Sequence, residues 1–159
     1  MSSVMNNGLP RFATVLVVED DECARSALES ILTAEGHFVV GAPNGAAALE
    51  SLHVLTPDAV ITDVQMPELD GIQLCRAIRA SPLLRRLPII VISSETRDQF
   101  GASGLFDIYL RKPIDARRLI YALSGVLAID CSKDAAPSLA QSVDDVTKHG
   151  ASPGATSPA

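Results

Sequence analysis

Residues 59 to 71 read AVITDVQMPELDG, an apolar run that ends in a carboxylate and gives way at once to a turn. Ala59, Val60 and Ile61 have the character of a buried strand, Asp63 stands at its end, and Pro67 with Gly71 turns the chain away. A carboxylate at such a strand end lies where ligands bind in sheets that helices cover. Taken alone, Asp63 could be a cap, a metal ligand or a nucleophile. Two other strand ends complement it: Glu19 and Asp20 close the run VLVV, and Lys112 with Pro113 closes IYLR.

Working outward, the chain from about 14 to 128 alternates two periods. Strand-like runs are VLVV (15–18), HFVVG (37–41), DAVIT (58–62), PIIVIS (88–93) and DIYLR (107–111). Helical spacing falls between them. One helix is expected over Glu22–Glu35, with Ala27, Leu28, Ile31 and Leu32 on one face, Asp21 as its cap and Gly36 as its stop. A second runs from Gly45 to Leu55 behind an Asn44 cap, and a third from Gly71 to Ala80 buries Ile72, Cys75 and Ile78. The last starts after Asp115 and aligns Leu119, Ile120, Leu123, Val126 and Leu127. Five strands alternating with helices imply an α/β fold, a parallel sheet covered on both faces. The strand-end rule then gathers Glu19, Asp20, Asp63, Ser93 and Lys112 at one edge.

Like charges about 4 Å apart repel by about 4 kcal/mol at an effective dielectric near 20, so three clustered carboxylates need positive charge. A hard divalent cation suits oxygen ligands, and magnesium bound by one or two carboxylates keeps waters and room for a phosphate oxygen. Lys112 adds a second positive charge and Ser93 a hydroxyl. Such a set favours attack by a carboxylate on phosphorus, which needs a nucleophile and cations around the spreading oxygen charge. No general base is required, because an ionised aspartate is already a competent nucleophile.

Four motifs in order, VLVVEDDE, ITDVQMPELDG, VISSE and YLRKP, resemble the response-regulator receiver domain of bacterial two-component systems over almost all of 14–128. The resemblance implies a flavodoxin-like, doubly wound five-stranded fold. It also implies phosphotransfer from a histidine kinase or histidine phosphotransfer protein onto Asp63. Glu19 and Asp20 match the acidic pair that holds Mg2+, with Mn2+ as an alternative, and the backbone carbonyl of Gln65 matches a further ligand. Ser93 matches the hydroxyl that bonds the phosphoryl group, Lys112 the lysine that pairs with its oxygens, and Tyr109 the aromatic switch position. The Lys112–Pro113 bond is expected to be cis. Between Ser93 and Lys112 the chain is about one helical turn shorter than is usual for the family, which implies a short or distorted fourth helix. That helix usually joins the output and dimer surface.

Two other functions use similar parts. A haloacid-dehalogenase-like phosphohydrolase expects an acid two positions after the nucleophile, where this chain has Gln65. A degenerate receiver acting as a constitutive binding module usually lacks an acidic residue or the lysine, and all are present here. The resemblance to receivers also implies that Gln65 and Ser94 flank the place where side chains tune loss of the phosphoryl group.

The chain has 159 residues, 47% hydrophobic and 20% charged, which suits one globular domain. Its net charge of -6 disfavours a nucleic-acid surface. No apolar run nears the roughly 18 residues of a membrane span, and the start MSSVMNNGLPRF does not read as a signal peptide, so the cytoplasm is expected. Cys23, Cys75 and Cys131 are too scattered for a disulfide framework or zinc site, and His37, His53 and His149 have no partner at ligand spacing. Residues 1–11 are expected to be a flexible tail, 12–129 the receiver, and 130–159 a disordered tail rich in Ala, Ser and Pro. The reading is a stand-alone receiver that works through contacts with a downstream protein partner.

Overall fold

The computed structural model describes residues 12–97 and 104–135, with side chains through Ala128. In chain order the elements are β1 (Thr14–Val18), α1 (Glu22–Ala34), β2 (Phe38–Ala42), α2 (Gly45–Val54), β3 (Ala59–Asp63), α3 (Gly71–Ala80), β4 (Ile89–Ser93), β5 (Ile108–Arg111) and α4 (Ala116–Ala135). The strands form one parallel sheet in the order β2-β1-β3-β4-β5. From β1 the chain moves outward to β2, then returns to place β3 on β1's other side. The order therefore reverses between β1 and β3, and the carboxyl ends of these two strands flank the crevice where such folds bind ligands.

Side chains alternate along each strand and split the core in two. Leu16, Val18, Val60, Ile89 and Val91 face α2 and α3, meeting Ala48, Leu52, Leu74, Cys75 and Ile78. Val15, Val17, Ile61, Ile90 and Ile92 face the other way, against Leu32 of α1 and Leu119, Leu123 and Val126 of α4. Central strands β3 and β4 are buried at every position, whereas β2 and β5 are half-exposed edges. Each wholly buried Ile or Leu contributes about 1.5–3 kcal/mol, so the central strands and their two helical layers fix the register of the site.

The helix starts follow local chemistry. Asp21 accepts from the Ala24 amide at 2.8 Å, Asn44 from Ala47 at 2.7 Å, and Asp115 from Arg118 at 2.8 Å. Asp70 and Gln73 close a reciprocal capping box on α3. At the end of α1, Gly36 takes φ +92°, its amide bonding the Thr33 carbonyl and that of His37 bonding Leu32. His37 thus closes the helix instead of opening β2, which begins at Phe38, one residue later than its sequence run suggests.

On α1, Leu32 is buried and Leu28 and Ile31 are partly buried, but Ala27 is exposed. The chain divides into units Met1–Leu127 and Ala128–Ala159. Sheet, core and site belong to the first; of the second, residues 128–135 are helical, past Asp130 where the sequence reading begins a tail. The expected tail at 1–11, and the expected tail at 130–159 from residue 136 on, lie outside the described residues. The expected short fourth helix falls partly there too, and among the described residues between Ser93 and Ile108 no α-helix forms. Among the described residues, no helix is long and apolar enough to cross a membrane.

Candidate functional site

Strand register builds the site. Val18 pairs with Thr62, so one residue further on Glu19 and Asp63 come abreast at the carboxyl ends of β1 and β3. Asp63 pairs with Ile92, which brings Ser93 of β4 to the same edge, and the Lys112 amide donates to the Ser93 carbonyl at 2.8 Å. Lys112 then reaches back across the edge: its Nζ lies 2.9 Å from Asp63 Oδ2 and 3.4 Å from Glu19 Oε2. The Lys112–Pro113 peptide bond is cis.

Asp63 is 7% exposed and Glu19 3%, yet both are charged groups by type. Together with exposed Asp20 they offer carboxylate oxygens that all lie within 4.8 Å of one another. Burial pushes the Glu19 carboxyl up to about 7; nearby Asp63 and Asp20 add to the rise, while the Asp21 amide and Lys112 oppose it. For Lys112, burial pulls the ammonium down, but bonding to Asp63 and the charges of Asp63 and Glu19 outweigh it and hold the group above its ordinary value. One lysine does not balance three carboxylates. The donor set fits a hard divalent cation, which takes oxygen ligands and would relieve the protonation that burial imposes on Glu19.

The loop after β3 is pinned to the strand it leaves. Thr62 Oγ1 donates to the Asp63 carbonyl at 2.9 Å, and the Gly71 amide returns to the Val64 carbonyl at 2.9 Å. A Cβ on Gly71 would overlap the Asp63 carbonyl oxygen, so only glycine lets α3 start this close to the site. Gln65 lies in this loop; its backbone amide faces Asp63 Oδ1 at 3.3 Å.

Glu95 is one residue that sequence reasoning missed. Its amide donates to Ser93 Oγ at 3.1 Å, its carboxylate accepts from the Gln65 side-chain amide, and its carbonyl accepts from the Tyr109 hydroxyl. Half-buried Tyr109 also tilts against Phe106, with ring centroids 6.3 Å apart. Ser94, singled out from sequence, is exposed beside these contacts. The signal available was a symmetry of spacing, for Glu95 follows Ser93 by the same two positions that separate Gln65 from Asp63. Val64, Gln65, Met66, Ile72, Arg76 and Glu95 border an open cavity of about 540 Å³, which Asp63 itself does not line.

A doubly wound parallel sheet that gathers an acidic pair, a buried aspartate, a serine and a lysine at its switch point defines the receiver class of signalling domains. This chain belongs to it: the family model for the response regulator receiver domain matches residues 15–124. Among curated proteins, the chain is 35% identical over 136 residues to the response regulator MprA of Mycobacterium bovis, covering 84% of this chain and 58% of MprA. It is 37% identical over 117 residues to the transcriptional regulatory protein AfsQ1 of Streptomyces coelicolor, covering 72% of this chain and 51% of AfsQ1. The chain thus spans between half and three fifths of the length of these relatives. Among solved structures, the chemotaxis protein CheY4 of Vibrio cholerae superposes with a TM-score of 0.68 at 28% identity, over 73% of this chain and 99% of CheY4.

Proposed function

We propose that this chain accepts a phosphoryl group on Asp63 from a histidine kinase or histidine phosphotransfer protein, in a reaction that requires Mg2+. The observation that carries the reading is the convergence on buried Asp63 of the Lys112 ammonium at 2.9 Å and the carboxylates of Glu19 and Asp20. An Asp63 carboxylate oxygen attacks the phosphorus of a phosphohistidine; the O–P bond forms, the N–P bond breaks, and the electron pair leaves with the imidazole. Lys112, held charged by its two acids, pairs with the phosphoryl oxygens as their charge spreads. Ser93, whose Oγ already accepts from Glu95, has its own O–H to donate to the product phosphoryl group. Glu19, Asp20, Asp63 and the Gln65 carbonyl are the residues that would hold Mg2+, which supplies charge neutralisation between carboxylates and phosphate.

The product alters what Lys112 and Ser93 bond to, and Glu95 links Ser93 to Tyr109. Tyr109 is thus in place to respond, and the signal passes to a protein partner through the surface around β5. The test is incubation with Mg2+ and acetyl phosphate, read by intact mass. A phosphoryl increment on the native chain, absent from Asp63→Asn and absent after chelation, is expected; equal uptake by Asp63→Asn would falsify the assignment.

A further inference from the structure

The acidic pair sits on a loop that has left the sheet. The Glu19 amide still makes the ladder bond to the Ala42 carbonyl at 3.1 Å, but β1 ends at Val18 and β2 at Ala42, and the chain beyond turns into Pro43 and the Asn44 cap. The Glu19 carbonyl receives a donor from elsewhere. Arg25, in the second turn of α1, reaches back and donates from its Nη1 to that carbonyl at 2.8 Å.

Arg25 is itself held. Its Nε lies 3.7 Å from Glu29 Oε1, with the Arg25 side chain 20% exposed and that of Glu29 36%. Glu29 lies over Gly41 of β2, where the space a Cβ would occupy is filled by the carboxylate; the Arg25 Cδ would stand 3.2 Å from the same Cβ. The two side chains thus lie across the bare backbone of an edge strand, next to the ladder bond that ends at Glu19. As a helix-surface pair they have the weaker orientation, with the acid four residues after the base. Their geometry suits a clamp.

We propose that Arg25 is a positioning residue for the cation site, fixing the Glu19–Asp20 loop through the Glu19 carbonyl, with Glu29 and the side-chain-free Gly41 holding its guanidinium in place. The inference rests on the reading that Glu19, Asp20 and Asp63 bind Mg2+. Magnesium tolerates little departure from octahedral geometry at about 2.0–2.1 Å, so a loop free to drift by a fraction of an ångström binds it poorly. A hydrogen bond from a charged group is worth about 1.5–3 kcal/mol, which sets the scale of the loss at about tenfold or more in affinity.

The experiment has two arms on the full chain. In the first, Mg2+ is titrated calorimetrically into native protein, Arg25→Gln, Gly41→Ala and, as a control for the site itself, Asp20→Asn. Arg25→Gln is expected to weaken binding about tenfold. Gly41→Ala, whose methyl displaces Glu29 without touching a cation ligand, is expected to weaken it about threefold, as loss of an ion-pair contact would. The second arm follows amide hydrogen exchange without metal. In Arg25→Gln, residues 19–22 should exchange faster while β3 and β4 keep native protection. Arg25→Gln binding Mg2+ within twofold of native overturns the proposal, as does a rise in exchange shared by the whole sheet. Failure of native protein to bind Mg2+ sinks the cation reading instead, and the metal-free exchange arm then decides the clamp by itself.

Discussion

At the residue scale the site depends as much on what is absent as on what reacts. Gly71 is conspicuous because its conformation is not special; it needs no positive φ. The constraint is space, since a Cβ there would meet the Asp63 backbone carbonyl, which Thr62 already bonds and cannot release cheaply. Gly71→Ala must therefore shift α3 or the end of β3, an overpacking change that typically costs about 1–3 kcal/mol. Urea unfolding should show that loss, and phosphoryl uptake by the folded variant should also fall because Asp63 moves with its carbonyl. A variant with native stability and native uptake would show that the approach is looser than described. In the sequence, Gly71 reads only as a turn residue, because a close approach between segments leaves no local pattern. The same reason hid Arg25 and Glu95. Both act through backbone carbonyls or residues far along the chain, and periodicity carries no record of such contacts.

At the scale of elements, strands β3 and β4 were legible because each opens on a short apolar run rich in Val and Ile, too short for a helix and bounded by turn residues, and each is buried at every position. Edge strands were less so: β2 starts one residue late because the helix-stop geometry around Gly36 claims His37. An unanticipated network ties the far end of α3 to the amino ends of β4 and β5. Arg79 donates to the Arg85 and Leu87 carbonyls at 3.0 and 2.7 Å and pairs with Asp107 at 3.0 Å, and Asp107 also accepts from the Ile89 amide at 2.9 Å. Asp107→Ala removes an acceptor from both Arg79 and a strand amide, and should lower unfolding free energy by about 1–2 kcal/mol. Asp107→Asn, which keeps the acceptor for Ile89, should lose about half as much. Because the network lies at the opposite end of the strands from Asp63, Mg2+ affinity should be unchanged in both. A large effect on Mg2+ binding would mean that α3 transmits strain along its whole length.

For the whole molecule, the carboxylate cluster couples stability to pH in an unusual direction. Burial raises Glu19 from an ordinary 4.5 to about 7, so folding without a cation favours its protonated form. The unfolded chain releases that proton at lower pH than the folded one does. The stabilisation is fully present below about 4.5 and is lost as pH rises through about 7. Lys112, shifted upward from 10.5, is charged across this window and contributes no slope there. Metal-free protein should thus lose stability between about pH 5 and 7.5 through Glu19. Mg2+ needs the ionised carboxylate, so its binding competes with that proton, and its stabilisation should grow with pH over the same range. At a free concentration one hundred times the dissociation constant the gain is about 2.7 kcal/mol. Urea unfolding with and without Mg2+ at several pH values gives the difference directly. The increment should be smallest near pH 5 and largest above 7, and Glu19→Gln, which has no proton to lose, should flatten the metal-free curve. An Mg2+ increment independent of pH in the native protein would place Glu19 outside the cation's reach, leaving Asp20 and Asp63 to hold it.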